Sequence, residues 1–552
     1  MVAWRLGGLR RMRRVRVSRV GPSGKPRGWG RGDLAVAAGL FLVVAMGLAA
    51  TCSTVGFTYD EPNYVSASAK AWQWAGMMAS GLAHGDVSAA RAEVIQRYWA
   101  QNHERPGFIK LWWGMWLWVG ALFGGLVQSR LGTAILVGLL AAAVYLWMTR
   151  EEGCGAGALA VLVLLGMPRF FFDAHLAALD APVAAFCFLG AWLFWSLWRK
   201  GSWWTAVVAG LALGCAAGTK GNVLPAGLAI GLWWLMRERR GVAQTLVTAL
   251  VVAPLWFIVT WPWLWPAPLS RLLEYATFHG KFPLLAAYIF GRMRDPAPAY
   301  TAIVMLLATT PVLSLLLGAV SAAKGKQRLW QFLALNFAFH WLYFALPGQP
   351  RFNGVRLFEP AFPFLACMAA MGGLWTVKRM AQWLKREQVA KWGMAGLCAI
   401  VGLVGLRSLA LSHPHEVAFY NMAVGGARGA QRLGLESIYW GSVYLEALPY
   451  LNASVPKGGA VFVTPVGCMS LLETYEKAGM LRSDIRILGG PREHLSADVA
   501  VFQCQQSEFV EVSWALYRRG RPSFVVEYED VPLLVAYDRA AVERVFGEGR
   551  RS

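Results

Sequence analysis

Two adjacent carboxylates, Asp60 and Glu61, stand in the stretch "FTYDEPNYV" at residues 57–65, shortly after the first long apolar run. A carboxylate at such a place can take a proton from an attacking hydroxyl and so act as a general base. Acids are also common at a membrane surface because water is close. The pair alone therefore leaves a catalytic and a merely interfacial role open.

Further ionisable residues lie in other turns between apolar runs. They are His103, Glu104 and Arg105 in "NHERPGF", Asp173, His175 and Asp180 in "RFFFDAHLAALDAP", Lys220 in "GTKGN", and Arg351 and Arg356 in "PGQPRFNGVR". An ionisable group within a bilayer costs roughly 2.5–3.5 kcal/mol near a helix centre, so such groups persist where they face a polar cavity and pair with each other or a ligand. Cations could hold a phosphate, Arg in bidentate fashion.

The chain that positions these residues has the composition of a membrane protein. It has 552 residues, of which 57% are hydrophobic and only 15% are charged, whereas soluble proteins carry about 25% charged residues. Apolar runs of roughly 17–22 residues recur, which is long enough to cross about 30 Å of hydrocarbon. The sequence therefore predicts an α-helical polytopic membrane protein.

The net charge of +22 comes from basic residues beside the apolar runs. Ten of them fall in the first 31 residues, with no acid before Asp33. This is the pattern of a cytoplasmic tail followed by an uncleaved signal-anchor, and it argues against a nucleic-acid partner.

The runs that could span are 33–51, 108–124, 131–149, 155–171, 181–198, 203–219, 222–236, 244–261, 301–320, 328–346, 355–376 and 392–411. If every run crossed, the basic loops after the second run would face the wrong side. Removing 108–124 corrects all of them, and its Lys110 and early tryptophans suit a helix at the membrane surface. About eleven spans remain, with the amino terminus cytoplasmic and the carboxyl terminus outside.

Three regions follow from this topology. Residues 1–32 form a basic cytoplasmic tail, and residues 33–411 form the transmembrane domain, with a large first outer loop at 52–130. In residues 412–552, short strand-like stretches such as "AVFVTPV" and "DVAVFQC" alternate with helical ones, which predicts a small extracytoplasmic α/β domain.

Several stretches, in this order, resemble the bacterial protein O-mannosyltransferase-like members of glycosyltransferase family 39, in the GT-C superfamily, and more distantly the lipid A aminoarabinose transferases. They are "YDEPNY", "HERPGF", "HLAALDAPVAAF", "TKGN", "TWPWLWPAPLSRLLEY", "GVRLFEPAFPFLA" and "HPHEVAFYNMAVGGARGAQRLGLESIYWG". The resemblance covers about residues 35–455. It departs from the family at "RPG", where Pro-Pro is usual.

The resemblance implies a role for each site residue. Asp60 would be the catalytic base, or the residue that orients the acceptor, and Glu61 would support it. Asp180 would bind acceptor, sugar or metal. Lys220, Arg351 and Arg356 would be the candidates for the lipid phosphate. His103, Glu104 and Arg105 would also bind substrate. Some relatives bind a divalent metal ion through a His–Glu pair, but His103 with Glu104 is a poor metal signature. A divalent metal ion stays open as the one candidate cofactor.

The expected function is therefore an inner-membrane glycosyltransferase that moves a hexosyl, pentosyl or aminosugar group, with inversion, from a polyprenyl-phosphate donor to an extracytoplasmic acceptor. Protein hydroxyls, lipid A and a cell-wall glycan all remain open as acceptor. The alternatives are a transporter or flippase of a lipid-linked sugar, which should show inverted repeats and helices broken at mid-membrane, and a non-catalytic scaffold.

Overall fold

The protein is mostly helical, and strands occur chiefly near the carboxyl terminus. A computed structural model describes residues 28–237 and 241–547, without the side chains of Lys200, Ala390 and Lys391. Most of the predicted basic tail and the last three residues of "RERR" thus lie outside the described residues. The helices up to residue 280 are α1 (Arg31–Thr51), α2 (Glu61–Ala83), α3 (Ala92–Trp99), α4 (Phe108–Gly120), α5 (Gly125–Glu152), α6 (Cys154–Leu165), α7 (Pro168–Asp173), α8 (Asp180–Lys200), α9 (Trp203–Ala217), α10 (Leu224–Met236), α11 (Val242–Val247), α12 (Ala253–Val259) and α13 (Pro268–Gly280).

The later helices are α14 (Thr301–Thr309), α15 (Val312–Val320), α16 (Arg328–Ala345), α17 (Phe362–Leu384), α18 (Glu387–Ser412), α19 (Gly426–Arg432), α20 (Tyr444–Ser454), α21 (Met469–Lys477), α22 (Glu511–Arg519) and α23 (Arg539–Gly547). Within the described residues, six helices are long and apolar enough to cross a membrane, or up to seven if the bent pair α14–α15 is one span. The six are Arg31–Thr54, Gly125–Glu152, Asp180–Arg199, Val242–Val259, Arg356–Leu384 and Trp392–Ser412.

These helices show a multi-pass membrane architecture with a packed centre. The Arg356–Leu384 helix is 94% buried in its apolar window, whereas Val242–Val259 is only 6% buried and presents its apolar side chains outward. Helix α4 has 13 residues, so at about 1.5 Å per residue it is shorter than the hydrocarbon layer. Its surface location, the total of eleven spans and the sidedness of the termini stay predictions.

The apolar run 301–320 is not one straight helix, because α14 and α15 meet at 108°. Pro311 lies at the break; it has no N–H to continue the helix and disfavours helical backbone in the residue before it. Asn421, beyond the last span, satisfies the freed carbonyls. Its side-chain amide donates to Leu307 O at 2.6 Å and Thr310 O at 2.7 Å, and its backbone N–H bonds a third carbonyl of that turn.

The strands are β1 (Ala287–Ile289), β2 (Arg292–Arg294), β3 (Ala460–Val463), β4 (Arg486–Leu488), β5 (Val499–Gln503), β6 (Phe524–Tyr528) and β7 (Val531–Asp538). The first two form an antiparallel hairpin in the loop before α14. The other five form one sheet in the order β4-β3-β5-β7-β6, with β3 parallel to β4 and β5, and with β7 antiparallel to β5 and β6. Strands β3 and β5 are wholly buried, which explains their continuous apolar sequence.

The sheet region touches the loops that follow the first span. The Phe57 N–H donates to the hydroxyl of Tyr475 at 2.7 Å. Gln505 donates to the side-chain oxygen of Asn353 at 3.0 Å, and the Asn353 amide donates to the hydroxyl of Tyr59 at 2.9 Å. The carboxyl-terminal sheet thus helps to position the residues beside Asp60. The domain boundary at residue 412 and the extracytoplasmic location stay predictions.

Candidate active site

Four ionisable residues, called here the Asp60 cluster, come together at the ends of helices. They are Asp60, Asp180, Lys220 and Arg356. Asp60 immediately precedes α2, and Asp180 is the first residue of α8. Lys220 lies in the turn before α10, and Arg356 begins the 3₁₀ turn that leads into α17. Residues far apart in the sequence meet because these helix ends gather on one side of the bundle.

Arg356 lies between the two aspartates of the cluster. Its Nη2 is 3.4 Å from Asp60 Oδ2 and its Nε is 3.4 Å from Asp180 Oδ2, while Lys220 Nζ donates to Asp180 Oδ1. The side chain of Asp180 is 0% exposed and that of Asp60 is 31% exposed. Asp180 is therefore a buried counter-ion, and Asp60 is the carboxylate that a substrate can reach.

Trp440 packs against Arg356 and supports the cluster. The Arg356 guanidinium carbon lies 3.8 Å from the centre of the Trp440 ring, a cation–π contact that holds the guanidinium plane. The indole N–H donates to Asp173 Oδ1 at 3.1 Å. The Tyr59 ring packs against the same indole at 5.3 Å. One tryptophan thus fixes the cation that both aspartates share.

The surroundings keep these groups in defined protonation states. Burial lowers the pKa of Lys220, and the nearby Asp180 carboxylate opposes that shift. Burial also raises the pKa of Tyr64, which stays protonated and donates to Asp60 Oδ2 at 3.3 Å. Burial opposes the charge of Arg105, but Tyr64 and Asp60 outweigh it and hold its pKa above the ordinary value. Two cations, Arg105 and Arg356, and the Tyr64 hydroxyl therefore lie close to Asp60.

Glu61 does not face the open side of the cluster. It is fully buried and forms a two-pronged ion pair with Arg130 at 2.8 and 2.7 Å. It also accepts the backbone N–H groups of Thr58 and Ala177, each at 2.8 Å. These bonds tie the start of α2 to α5 and to the segment before Asp180. Such contacts suit the supporting role predicted for Glu61 and leave little room for a substrate.

Within the described ranges, His103 and Glu104 form no hydrogen bond or ion pair with the Asp60 cluster. They also bond different partners. His103 Nε2 is 3.2 Å from Glu274, and Glu104 accepts the Asn102 amide at 2.7 Å. Among the described residues, no group of three His, Cys, Asp or Glu side chains is placed to hold a metal ion. The substrate contacts predicted for His103 and Glu104 stay predictions. Arg105, by contrast, lies close enough to Asp60 for the aspartate's charge to raise the pKa of the guanidinium.

Arg351 differs from Arg356 although only five positions separate them. Arg351 Nη1 donates to Ala297 O at 2.9 Å, and its other nitrogens donate to the carbonyls of Phe344 and Leu346. Its N–H groups therefore hold backbone, and the structure does not bring it into the Asp60 cluster. A role in binding the lipid phosphate stays a prediction for Arg351.

Two buried acids beside the cluster were not assigned from the sequence. Glu359 is fully buried, and neither of its carboxylate oxygens has a hydrogen-bond partner in the described part of the chain. Burial raises the pKa of Asp173 to about 7, with smaller opposing effects from Glu359 and Trp440. A carboxylate inside the apolar run 355–376 is a sequence signal that could have singled out Glu359. Nothing local in the sequence pairs Trp440 with Arg356.

Comparison with known proteins agrees with the stated resemblance. Residues 123–275, which include Asp180 and Lys220, match the family described as dolichyl-phosphate-mannose-protein mannosyltransferase, and this confirms the mannosyltransferase-like resemblance. No curated protein shows significant sequence similarity to the chain.

Solved structures are similar only at the level of overall shape. Apo ArnT from Cupriavidus metallidurans is 17% identical, with 92% of this chain and 98% of that chain covered at a TM-score of 0.47. The same protein bound to undecaprenyl phosphate gives 16% identity, the same coverage and a TM-score of 0.45. A third structure is the oligosaccharyltransferase AglB from Archaeoglobus fulgidus in complex with an inhibitory peptide and a dolichol-phosphate. It is 10% identical, with 88% of this chain and 72% of that chain covered at a TM-score of 0.49. At these values the neighbours' ligands carry no argument about this chain.

Proposed function

We propose that the protein is a membrane glycosyltransferase that moves a sugar from a polyprenyl-phosphate-linked donor to a hydroxyl of an extracytoplasmic acceptor. One observation carries the proposal: a half-exposed carboxylate, Asp60, lies beside a buried Arg356–Asp180–Lys220 array. A reaction of this kind needs a base next to cations that can receive a phosphate. The family match over residues 123–275 supports the same class of reaction.

In the proposed reaction the acceptor hydroxyl attacks the anomeric carbon while Asp60 takes its proton. The bond from that carbon to the phosphate oxygen breaks on the opposite face, so the configuration inverts. The electron pair leaves with the polyprenyl phosphate, and the proton on Asp60 passes later to water. Tyr64 and Arg356 both contact Asp60 Oδ2, and none of the described residues donates to Oδ1. That oxygen is left for the acceptor.

The cations of the cluster would stabilise the leaving phosphate. A lysine ammonium has three N–H donors, and Lys220 uses one of them on Asp180. Arg356 is held by Trp440 and both aspartates, so little rearrangement is needed when charge develops on the phosphate. Arg105 adds a third positive group near Asp60. The sugar, the inner-membrane location and the outward orientation of the site belong to this proposal.

A transporter of lipid-linked sugars is the second candidate, and the 108° break between α14 and α15 favours it, since broken helices line many transport sites. The Asp60 cluster lies at helix ends and not at that break. An assay in detergent separates the two functions. A transferase still forms product in micelles, whereas transport needs a membrane between two compartments.

The test is to incubate the purified full chain in detergent with radiolabelled polyprenyl-phosphate sugars and a membrane extract as the source of acceptor. We expect one donor to be consumed and its label to enter a new product. Asp60→Asn should abolish this conversion, and Asp86→Asn should not, because Asp86 is an exposed loop acid whose carboxylate accepts hydrogen bonds from Ser88. Equal conversion by both variants, or no conversion of any donor, would refute the proposed function.

A further inference from the structure

A polar cavity lies near the Asp60 cluster. Tyr59, Asn353 and Trp440 separate it from Asp60. Its lining residues come from α7, the β1–β2 hairpin, α14, the loop before α17 and the segment before α20. They are Arg169, Ala287, Tyr288, Ile289, Thr301, Met305, Arg351, Asn353, Gly354, Glu436 and Tyr439. The closed part is small, about 20 Å³. It therefore suits the end of a ligand and not a whole sugar.

Arg169 is held in this cavity with the donors of its two terminal nitrogens unused. It is 2% exposed. Its Nε donates to Phe419 O at 3.2 Å, and the rings of Tyr420 and Tyr439 lie 4.7 and 5.7 Å from its guanidinium carbon. Neither Nη1 nor Nη2 has a hydrogen-bond partner among the described residues, and no carboxylate of the described chain forms an ion pair with them. The Glu436 carboxyl acts electrostatically on Arg169 without bonding it. A buried guanidinium whose terminal nitrogens lack hydrogen bonds is costly, so this arrangement points to an anion.

The residues around the guanidinium keep the space in front of it open. Gly354 has a φ of +63°, and a Cβ there would lie 2.6 Å from Arg169 Nη1 and 2.5 Å from the Tyr439 ring. Only glycine fits this place without closing the cavity. The hydroxyls of Tyr439 and Thr301 are also buried without partners within the described residues. They can donate to the same ligand.

We propose that the Arg169 cavity binds one anionic group, a carboxylate or a phosphate, carried by the acceptor. Arg351 lines the same cavity, with its N–H groups bonded to backbone carbonyls. The one acid in the lining, Glu436, already accepts the Ser507 N–H at 2.7 Å, and burial raises its pKa to about 7. The positive charge of Arg169 acts against that shift. The assignment to the acceptor rests on the proposed function, whereas the binding of an anion does not.

Position supports the acceptor as the source of the anion. Asn353 lines the cavity and its amide donates to Tyr59, the residue before Asp60. The cavity is thus linked through the side chains of Asn353 and Tyr59 to the residue that precedes the proposed base. In the proposed function the donor phosphate binds Lys220 and Arg356, which lie with Asp60 on the other side of Tyr59, Asn353 and Trp440.

The test is equilibrium dialysis of the full-length protein in detergent against ³²P-orthophosphate at constant ionic strength, with unlabelled acetate and polyprenyl phosphate as competitors. We expect a saturable site whose Kd rises at least about tenfold in Arg169→Gln, as for loss of a hydrogen bond to a charged group. Tyr439→Phe removes only a hydroxyl and should weaken binding less. Arg519→Gln, which removes an exposed cation, should bind as the wild type does, and Lys220→Met should retain this site.

Three results would overturn the inference. They are no saturable binding by the wild type, loss of binding in Lys220→Met with retention in Arg169→Gln, and displacement of orthophosphate from the Arg169-dependent site by polyprenyl phosphate. The last result would assign the anion to the donor. If Arg169→Gln does not fold, unchanged binding by Tyr439→Phe counts against the site. The assay measures anion binding and not sugar transfer. Its results would therefore still test the Arg169 site if the proposed function were wrong.

Discussion

Replacing Lys220 by methionine tests whether the cluster binds the donor phosphate directly. The Lys220 side chain is 8% exposed and its ammonium bonds Asp180, whose remaining ion-pair contact is Arg356 at 3.4 Å. If Lys220 also donates to the phosphate, its loss removes a charge-assisted hydrogen bond worth about 1.5–3 kcal/mol. The KM for the donor should then rise about 10- to 150-fold with a much smaller change in kcat.

The same loss could act through Asp180 alone, and a double-mutant cycle separates the two causes. Asp180→Asn removes the charge that Lys220 neutralises. If Lys220 only compensates Asp180, the double variant Lys220→Met/Asp180→Asn should have the donor KM of Asp180→Asn. If Lys220 binds phosphate, the second substitution should raise KM by its full factor again.

The assay is the initial rate of transfer from radiolabelled donor at saturating acceptor, in detergent, for the wild type and the three variants. The melting temperature of each variant is measured in parallel, since breaking a buried pair destabilises the fold. A donor KM that stays unchanged in Lys220→Met would refute a phosphate contact, and so would a double variant identical to Asp180→Asn.

Four further outcomes are expected. Asp60→Asn should lower kcat about 10²- to 10⁴-fold, as for loss of a general base, and unchanged kcat would remove Asp60 from the chemistry. Trp440→Leu should lower kcat/KM about 2- to 30-fold by removing a cation–π contact of about 0.5–2 kcal/mol; no change would show that Arg356 does not depend on the indole. Glu61→Gln should lower the free energy of unfolding by about 3–5 kcal/mol, because Arg130 keeps a buried charge, whereas kcat per folded molecule should hold; the reverse pattern would make Glu61 catalytic. Burial raises the pKa of Asp173 from 3.8 to about 7, so the folded state keeps a proton that the unfolded state loses in that range. The free energy of unfolding should therefore fall as pH rises from about 4 to about 7, and a chemical-denaturation series should show a flatter profile for Asp173→Asn.

The sequence was most informative where charge interrupts apolar runs. Asp180, Lys220 and Arg356 each stand at an end of such a run and Asp60 follows the first run, and the structure brings these four together. Their catalytic roles stay predictions. The cost of burying charge explains this success, since an ionisable residue at a helix end must find a polar partner.

The sequence could not distinguish Arg351 from Arg356, because backbone conformation decides their directions. Asn353 and Gly354, between them, have φ of +54° and +63°, and this turn sends one guanidinium to backbone carbonyls and the other to the aspartates. Trp440 was missed for another reason. Its partner Asp173 is 267 positions away, and no periodicity reports a contact over that separation.

The bend at Pro311 has a consequence for the order in which the molecule is assembled. The amide that satisfies the open carbonyl of Thr310 belongs to Asn421, 111 positions later. At about 5–20 residues per second, synthesis reaches that asparagine roughly 6–20 seconds after the helix has emerged. Until then the carbonyls at the break have no Asn421 to bond, and an unsatisfied carbonyl in hydrocarbon is costly. We therefore expect the turn between α14 and α15 to gain these hydrogen bonds only after the chain as far as Asn421 has been synthesised.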